Sequence, residues 1–211
     1  MKHFPATHVF IDFDETLFEH RAFQEYSSQV LSQAHDVNPS RYLERFDEYH
    51  DLISPNHRMY RHEDHLRDTT GLSWSVYSGE VTDRVRNDPN AHFCYDDAHR
   101  FVSDAQKSGA VVRLLTYGNE AYQRFKIGLC PVIGALPVHV VCEPKGDYLA
   151  RHFSDAEIKG YLIDDKAPIP LPDNWQHVWL NREGKTHPEE NNHLEVTNLH
   201  FPSLADTIAL A

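Results

Sequence analysis

A doubly wound parallel α/β sheet carrying an all-helical insertion is the fold class this sequence predicts, and three observations predict it. Four short apolar runs each lead into a polar group: Val9 to Ile11 before Asp12, Val111 to Leu115 before Thr116, Pro137 to Cys142 before Lys145, and Tyr161 to Ile163 before Asp164 and Asp165. Helical patterns separate these runs, the alternation that builds an open parallel sheet and lines up its strand ends along one ligand-binding edge. From 19 to 90 no strand-like run appears, so that stretch stands outside the alternation and reads as an inserted bundle.

The elements follow in order. Val9, Phe10 and Ile11 form a buried strand. Phe23, Tyr26, Val30 and Leu31 recur at helical spacing and predict a helix over His20 to His35. Asn38-Pro39 supplies a cap and a first-turn proline for a second helix with Tyr42, Leu43, Phe46 and Tyr49 as its stripe. Ser54-Pro55-Asn56 is a turn, a short helix runs from Tyr60 to Arg67 and stops at Gly71, and Ser73 to Arg86 is a fourth helix with Trp74, Tyr77, Val81 and Val85 inward. After the turn cluster Asn87 to Asn90, Asp96 to Lys107 is amphipathic and ends at Ser108-Gly109. Strand Ala110 to Leu115, helix Glu120 to Ile127, strand Pro137 to Cys142 and helix Lys145 to His152 come next. Strands from Gly160 and over His177 to Leu180, an edge strand over Leu194 to Asn198, and a final helix over Leu204 to Leu210 capped by Ser203 complete the chain. The core domain is thus expected over 1–18 and 91–211, and the helical domain over 19–90.

Bulk properties narrow the classes. An apolar fraction of 40% and a charged fraction of 25% are those of a soluble globular chain, and the net charge of −12 argues against a nucleic-acid or anionic-membrane surface. The most apolar window, Gly128 to Cys142, is broken by Pro131, Gly134, Pro137 and His139, which excludes a membrane span there. The N-terminus shows no secretory leader pattern. Three cysteines, Cys94, Cys130 and Cys142, without a CxxC pair suit free thiols and a cytoplasmic location. The 16 histidines are scattered, and pairs such as His62 and His65 lack a third ligand at close spacing, so they are read as hydrogen-bonded or solvated imidazoles.

The chemistry concentrates at Asp12-Phe13-Asp14-Glu15-Thr16. In an extended segment alternate side chains share a side, so Asp12 and Asp14 converge while Phe13 packs away. Carboxylates that close repel, and a hard divalent ion with oxygen ligands, Mg²⁺ by preference, offsets the repulsion while also binding a phosphate oxygen.

The Asp12 to Thr16 motif, Thr116 after an apolar strand, Lys145 ahead of the last motif and the Asp164-Asp165 pair, in that order, resemble the four motifs of the haloacid dehalogenase-like (HAD) hydrolase superfamily. The resemblance covers nearly the whole chain. It implies a Rossmann-like core, and it implies that the helical insertion is a C1 cap, which in that family covers the active site and sets substrate choice. An aspartate at position 14 is similar to the phosphatase branch rather than the dehalogenases, which need no acid there to expel halide.

The same resemblance implies roles. Asp12 would be the nucleophile, forming an aspartyl-phosphate, and Asp14 the acid/base, its main-chain carbonyl joining Asp12 and Asp165 as magnesium ligands, with Asp164 either a direct ligand or a support behind them. Thr116 would donate a hydroxyl to a phosphoryl oxygen, aided by the N–H groups of Tyr117 and Gly118. Lys145 would neutralise the phosphate and steady Asp12, with Lys126 as the second candidate. A further acid that the family carries after the aspartate pair is not matched, because Ile169 and Pro170 occupy that neighbourhood. Arg58, Arg61, His62 and Arg67 form a basic patch in the insertion, balanced by Glu63, Asp64 and Asp68, and Arg61 is its candidate for a second anionic group on the substrate. The activity implied is a Mg²⁺-dependent phosphohydrolase for a small phosphorylated metabolite, with a phosphomutase or phosphotransferase, or a phospho-ligand binding protein with little turnover, as the alternatives.

Overall fold

The computed structural model describes residues 8–53, 61–155, 158–166, 169–186 and 193–200. Its strands are β1 (His8–Ile11), β2 (Val111–Tyr117), β3 (Val138–Val141), β4 (Gly160–Asp164), β5 (Trp175–Leu180) and β6 (His193–Val196). They form one sheet in the order β3-β2-β1-β4-β5-β6, with every neighbouring pair parallel. This is the doubly wound arrangement expected. Val9, Phe10 and Ile11 of β1 are fully buried, as are Leu162, Ile163 and Asp164 of β4, because parallel strands in mid-sheet are covered on both faces. Each such apolar side chain contributes about 1.5–3 kcal/mol by leaving water.

The helices are α1 (His20–His35), α2 (Pro39–Ile53), α3 (His62–Thr70), α4 (Trp74–Asn87), α5 (Asp96–Lys107), α6 (Glu120–Gly128), α7 (Pro131–Gly134) and α8 (Lys145–His152). Their starts follow local chemistry: Asn38 Oδ1 accepts from Arg41 N at 3.0 Å, Ser73 Oγ from Val76 N at 3.4 Å and Asn119 Oδ1 from Tyr122 N at 2.9 Å. Gly71, with φ of 73°, ends α3 in the left-handed conformation and donates to Arg67 O.

Two compact units divide the chain. The first lies within 1–18, 94–117 and 131–211 and holds the sheet with α5, α7 and α8; Phe10, Leu115, Val141, Leu149, Leu162 and Trp175 form a core cluster on one sheet face. The second is 19–93 with 118–130 and is all helical. There Tyr122 and Phe125 of α6 pack on Trp74 at 6.3 and 5.4 Å, and His62 stacks on Tyr122 at 4.0 Å. Burial holds His62 neutral by pushing its pKa well below the usual imidazole range, aided by nearby His65 and Lys126. The chain passes between the two stretches along a short antiparallel neck, in which Glu19 N donates to Phe93 O (2.7 Å) and Tyr95 N to Leu17 O (3.1 Å).

Several boundaries differ from the sequence reading. The helix expected over Tyr60 to Arg67 runs His62–Thr70, and β2 continues through Thr116 to Tyr117. The Pro- and Gly-containing crossing holds the extra turn α7, and the edge strand is β6, parallel to β5. Cys94 and Cys130 are disulfide-bonded, against the expectation of free thiols, and only Cys142 is free and exposed. Their use therefore gives no support to a cytoplasmic location. Among the described residues no helix is long and apolar enough to cross a membrane. The Ser54 to Asn56 turn, Arg58 and the final helix expected over 204–210 lie outside the described residues.

Candidate active site

Asp12 is the first residue beyond β1, and its N–H donates to Ile163 O at 2.9 Å. Because Ile11 is level with Ile163 of β4, the carboxyl ends of β1 and β4 finish together, while β2, level with Ile11 at Leu114, runs on to Tyr117. Strand order reverses direction between β1 and β4, which opens a crevice at their ends. Into it come Asp12, Asp164 at the end of β4, and Asp165 just beyond. Their carboxylate oxygens lie within 4.8 Å of one another. Lys145, first residue of α8, places Nζ 2.7 Å from Asp12 Oδ1 and 2.5 Å from Asp164 Oδ2. Asp164 Oδ1 accepts from Lys166 N at 2.9 Å, so both oxygens of Asp164 are engaged.

Three carboxylates facing one ammonium leave two negative charges in a buried cluster. Burial pushes the Asp12 carboxyl up to about 6, against the pull of Lys145 and with the help of Asp164 and Asp14. Burial also raises Asp165, to about 7, reinforced by Asp12 and Asp164. On Lys145 burial opposes the charge, but Asp12 and Asp164 overcome it and hold its pKa above the ordinary value. The residues fit a divalent cation: the donors are hard oxygens, the excess charge matches, and their spacing approaches the roughly 4 Å between opposite ligands of a magnesium ion.

Asp14 is half-buried and near enough to Asp12 to raise its pKa, but its carboxylate is not one of the three that cluster. It sits in a tight turn, where Leu17 N and Phe18 N both donate to Phe13 O and Glu15 takes a φ of 56°. Thr116 is buried at the end of β2, followed by exposed Tyr117 and by Gly118. Gly118 has a φ of 146°, and a Cβ there would come 2.9 Å from Gln123 Nε2. Lys145, not Lys126, is the lysine at Asp12. Lys126 lies in α6 of the helical unit, buried, with Nζ 4.6 Å from the Tyr122 ring. Arg61 precedes α3 in that same unit, exposed and 3.6 Å from Asp64.

The sequence reading missed what braces the Asp12 to Phe18 turn. Arg182, just past β5, donates from Nη2 to Thr16 O (3.0 Å) and pairs with both oxygens of Asp97 (2.8 and 2.9 Å). Its guanidinium lies 3.9 Å over the Tyr95 ring, and Tyr95 Oη donates to Glu15 Oε2 at 3.1 Å. Arg182 falls in Asn181-Arg182-Glu183-Gly184, which composition marks only as a turn. Gly146 is a second such residue. A Cβ there would lie 1.9 Å from Pro170 O, so only glycine lets the chain after β4 close on the start of α8 beside Lys145.

No protein-family model and no curated protein matches the chain. Solved structures do. A magnesium-bound HAD-type protein of Bacillus subtilis, YfnB, aligns with 96% of this chain and 98% of its own at 14% identity and a TM-score of 0.64. A HAD phosphatase of Thermococcus onnurineus covers 92% and 94% at 14% identity and 0.51, and the L-2-haloacid dehalogenase of Xanthobacter autotrophicus 97% and 98% at 13% and 0.56. Likeness at this identity is likeness of architecture, and by architecture the chain has the fold of the haloacid dehalogenase-like hydrolases.

Proposed function

We propose that the protein is a metal-dependent phosphohydrolase acting on small phosphate monoesters. The observation that carries this reading is the cluster of buried Asp12 and Asp164, both paired with Lys145, and half-buried Asp165, with a further acid, Asp14, two residues from Asp12. Asp12 and Asp165, with the main-chain carbonyl of Asp14, would hold Mg²⁺, and Asp164 would orient Lys145 and support the set. When bound, the ion supplies positive charge that offsets the repulsion between Asp12 and a phosphate dianion.

The remaining chemistry belongs to the chain. A carboxylate oxygen of Asp12 attacks phosphorus in line, and the bond to the ester oxygen breaks as that oxygen takes the proton of Asp14. The product is an aspartyl-phosphate on Asp12 and a free alcohol. Asp14, now a carboxylate, removes a proton from water; the water oxygen attacks phosphorus, and the bond to Asp12 breaks to release inorganic phosphate. Thr116 Oγ1 and the N–H groups of Tyr117 and Gly118 would donate to the phosphoryl oxygens, and the Lys145 ammonium balances charge on Asp12 throughout. Asp14 favours this reading over haloacid dehalogenation, since a departing halide needs no proton and an alkoxide does.

Phosphate release from an aryl phosphate and from a panel of phosphorylated metabolites tests the proposal. Activity should require Mg²⁺, vanish with EDTA, and vanish in Asp12→Asn. Release of halide from 2-haloacids with no phosphatase activity would reject it in favour of the dehalogenase reaction. Transfer of the phosphoryl group to a sugar hydroxyl rather than water would make it a phosphotransferase.

A further inference from the structure

Arg113 interrupts the apolar run of β2, on the sheet face that carries Phe10 and Leu115. Its guanidinium carbon lies 5.8 Å from the Phe10 ring and 5.7 Å from the Phe153 ring. Arg113 Nη1 is buried and has no hydrogen-bond partner, and among the described residues no carboxylate pairs with this side chain. His139 of β3 rests on the same two rings, 5.6 Å from Phe10 and 6.1 Å from Phe153. Its Nδ1 meets Tyr148 Oη at 2.7 Å, while its Nε2 is also buried without a partner.

The protonation states follow from the surroundings. Burial, with Glu143 nearby, raises the Tyr148 phenol, so it keeps its proton, and in the His139 tautomer that carries hydrogen on Nε2 it donates to Nδ1. Burial, Arg113 and His152 lower the His139 pKa, which favours the neutral ring. In that tautomer two N–H groups, Arg113 Nη1 and His139 Nε2, lack acceptors on one pair of aromatic walls. Exposed His152, 4.5 Å from the Tyr148 ring, marks the solvent side of the group. Arg113 as a whole is half-buried, but a guanidinium N–H buried without an acceptor is costly and calls for one.

We infer that Arg113 and His139, set on Phe10 and Phe153, form an oxyanion site that takes a phosphate or carboxylate group. A guanidinium fork matches either group with two hydrogen bonds, and dry aromatic walls strengthen them. The site is separate from the acidic cluster. Arg113 stands three residues before Thr116, roughly 10 Å back along the strand, and the odd separation turns it to the opposite sheet face. An anion bound there is not the reacting phosphate, so this inference does not rest on the proposed activity.

Calorimetric titration with inorganic phosphate, and separately with acetate, both in EDTA, tests it. The double variant Asp12→Asn/Lys145→Met, which strips the acidic cluster of its cation without leaving Asp12 charged, should bind phosphate as the wild type does. Arg113→Met should weaken binding tenfold or more, and so should His139→Phe, which keeps the ring and removes the donor; the second variant serves where the first does not fold. Binding of phosphate but not acetate would identify a phosphate group as the ligand chemistry, and the converse a carboxylate. Absence of any binding at millimolar concentrations, or binding lost in the double variant and unchanged in Arg113→Met and His139→Phe, would overturn the inference.

Discussion

Lys145 donates to Asp12 across 2.7 Å with both side chains less than a tenth exposed, and the same ammonium reaches Asp164 at 2.5 Å. Removing one member of such a buried set leaves the others uncompensated. Lys145→Met should therefore destabilise the protein by about 3–5 kcal/mol in metal-free urea unfolding. The added substitution Asp12→Asn should recover part of that loss, whereas a purely additive double variant would show that the two groups do not interact.

The raised carboxyls set the pH dependence. Asp165 titrates near 7 and Asp12 near 6 when folded, against about 3.9 for an unfolded aspartate. Below that lower value both states hold the protons and the carboxyls cost nothing. As pH rises the unfolded chain releases them first, so metal-free stability falls through pH 4 to 7. Melting in EDTA at pH 5 and 7.5 should show the drop, and Asp165→Asn should shrink it. Added Mg²⁺ should raise the melting temperature more at pH 7.5 than at pH 5, because the ligands must be ionised.

Arg182 is a positioning residue for the turn that carries Asp14. Arg182→Met removes the bond to Thr16 O and leaves Asp97 without its partner, although Leu199 N still donates to that carboxylate at 2.9 Å. If the proposed phosphatase reaction runs through Asp14, its kcat should fall tenfold or more with KM little changed, and its pH profile should shift, since Asp14 loses its setting. A parallel loss in Asp97→Asn would place both residues in one network.

Gly146→Ala would set a methyl group into Pro170 O, and the backbone there cannot swing aside as a side chain would. The start of α8 must move, and Lys145 with it. Stability should drop by about 1–3 kcal/mol and activity by more than stability alone explains, read from activity at temperatures well below the melting point.

The parts legible in the sequence were those governed by local pattern. The spacing of Phe23, Val30 and Leu31 gave α1 its observed limits, and Ala98, Phe101, Val102 and Ala105 did the same for α5. Asp12, Lys145, Asp164 and Asp165 could be brought together on paper because parallel strands end at one edge. What stayed hidden depends on approach between distant segments. Arg182 reads as a turn residue until Asp97 and Tyr95 are seen beside it. Arg113 is one charge in an apolar run until its walls appear, and the spacing of Cys94 and Cys130 carries no trace of their oxidation.

The neck at Glu19 and Phe93 has a consequence for descent as well as for shape of the backbone. A segment whose entrance and exit lie side by side can grow or shrink at little cost, since doubling its length costs only about 0.6 kcal/mol of closure entropy. Kin of this chain can thus be expected to vary most in length between those two residues.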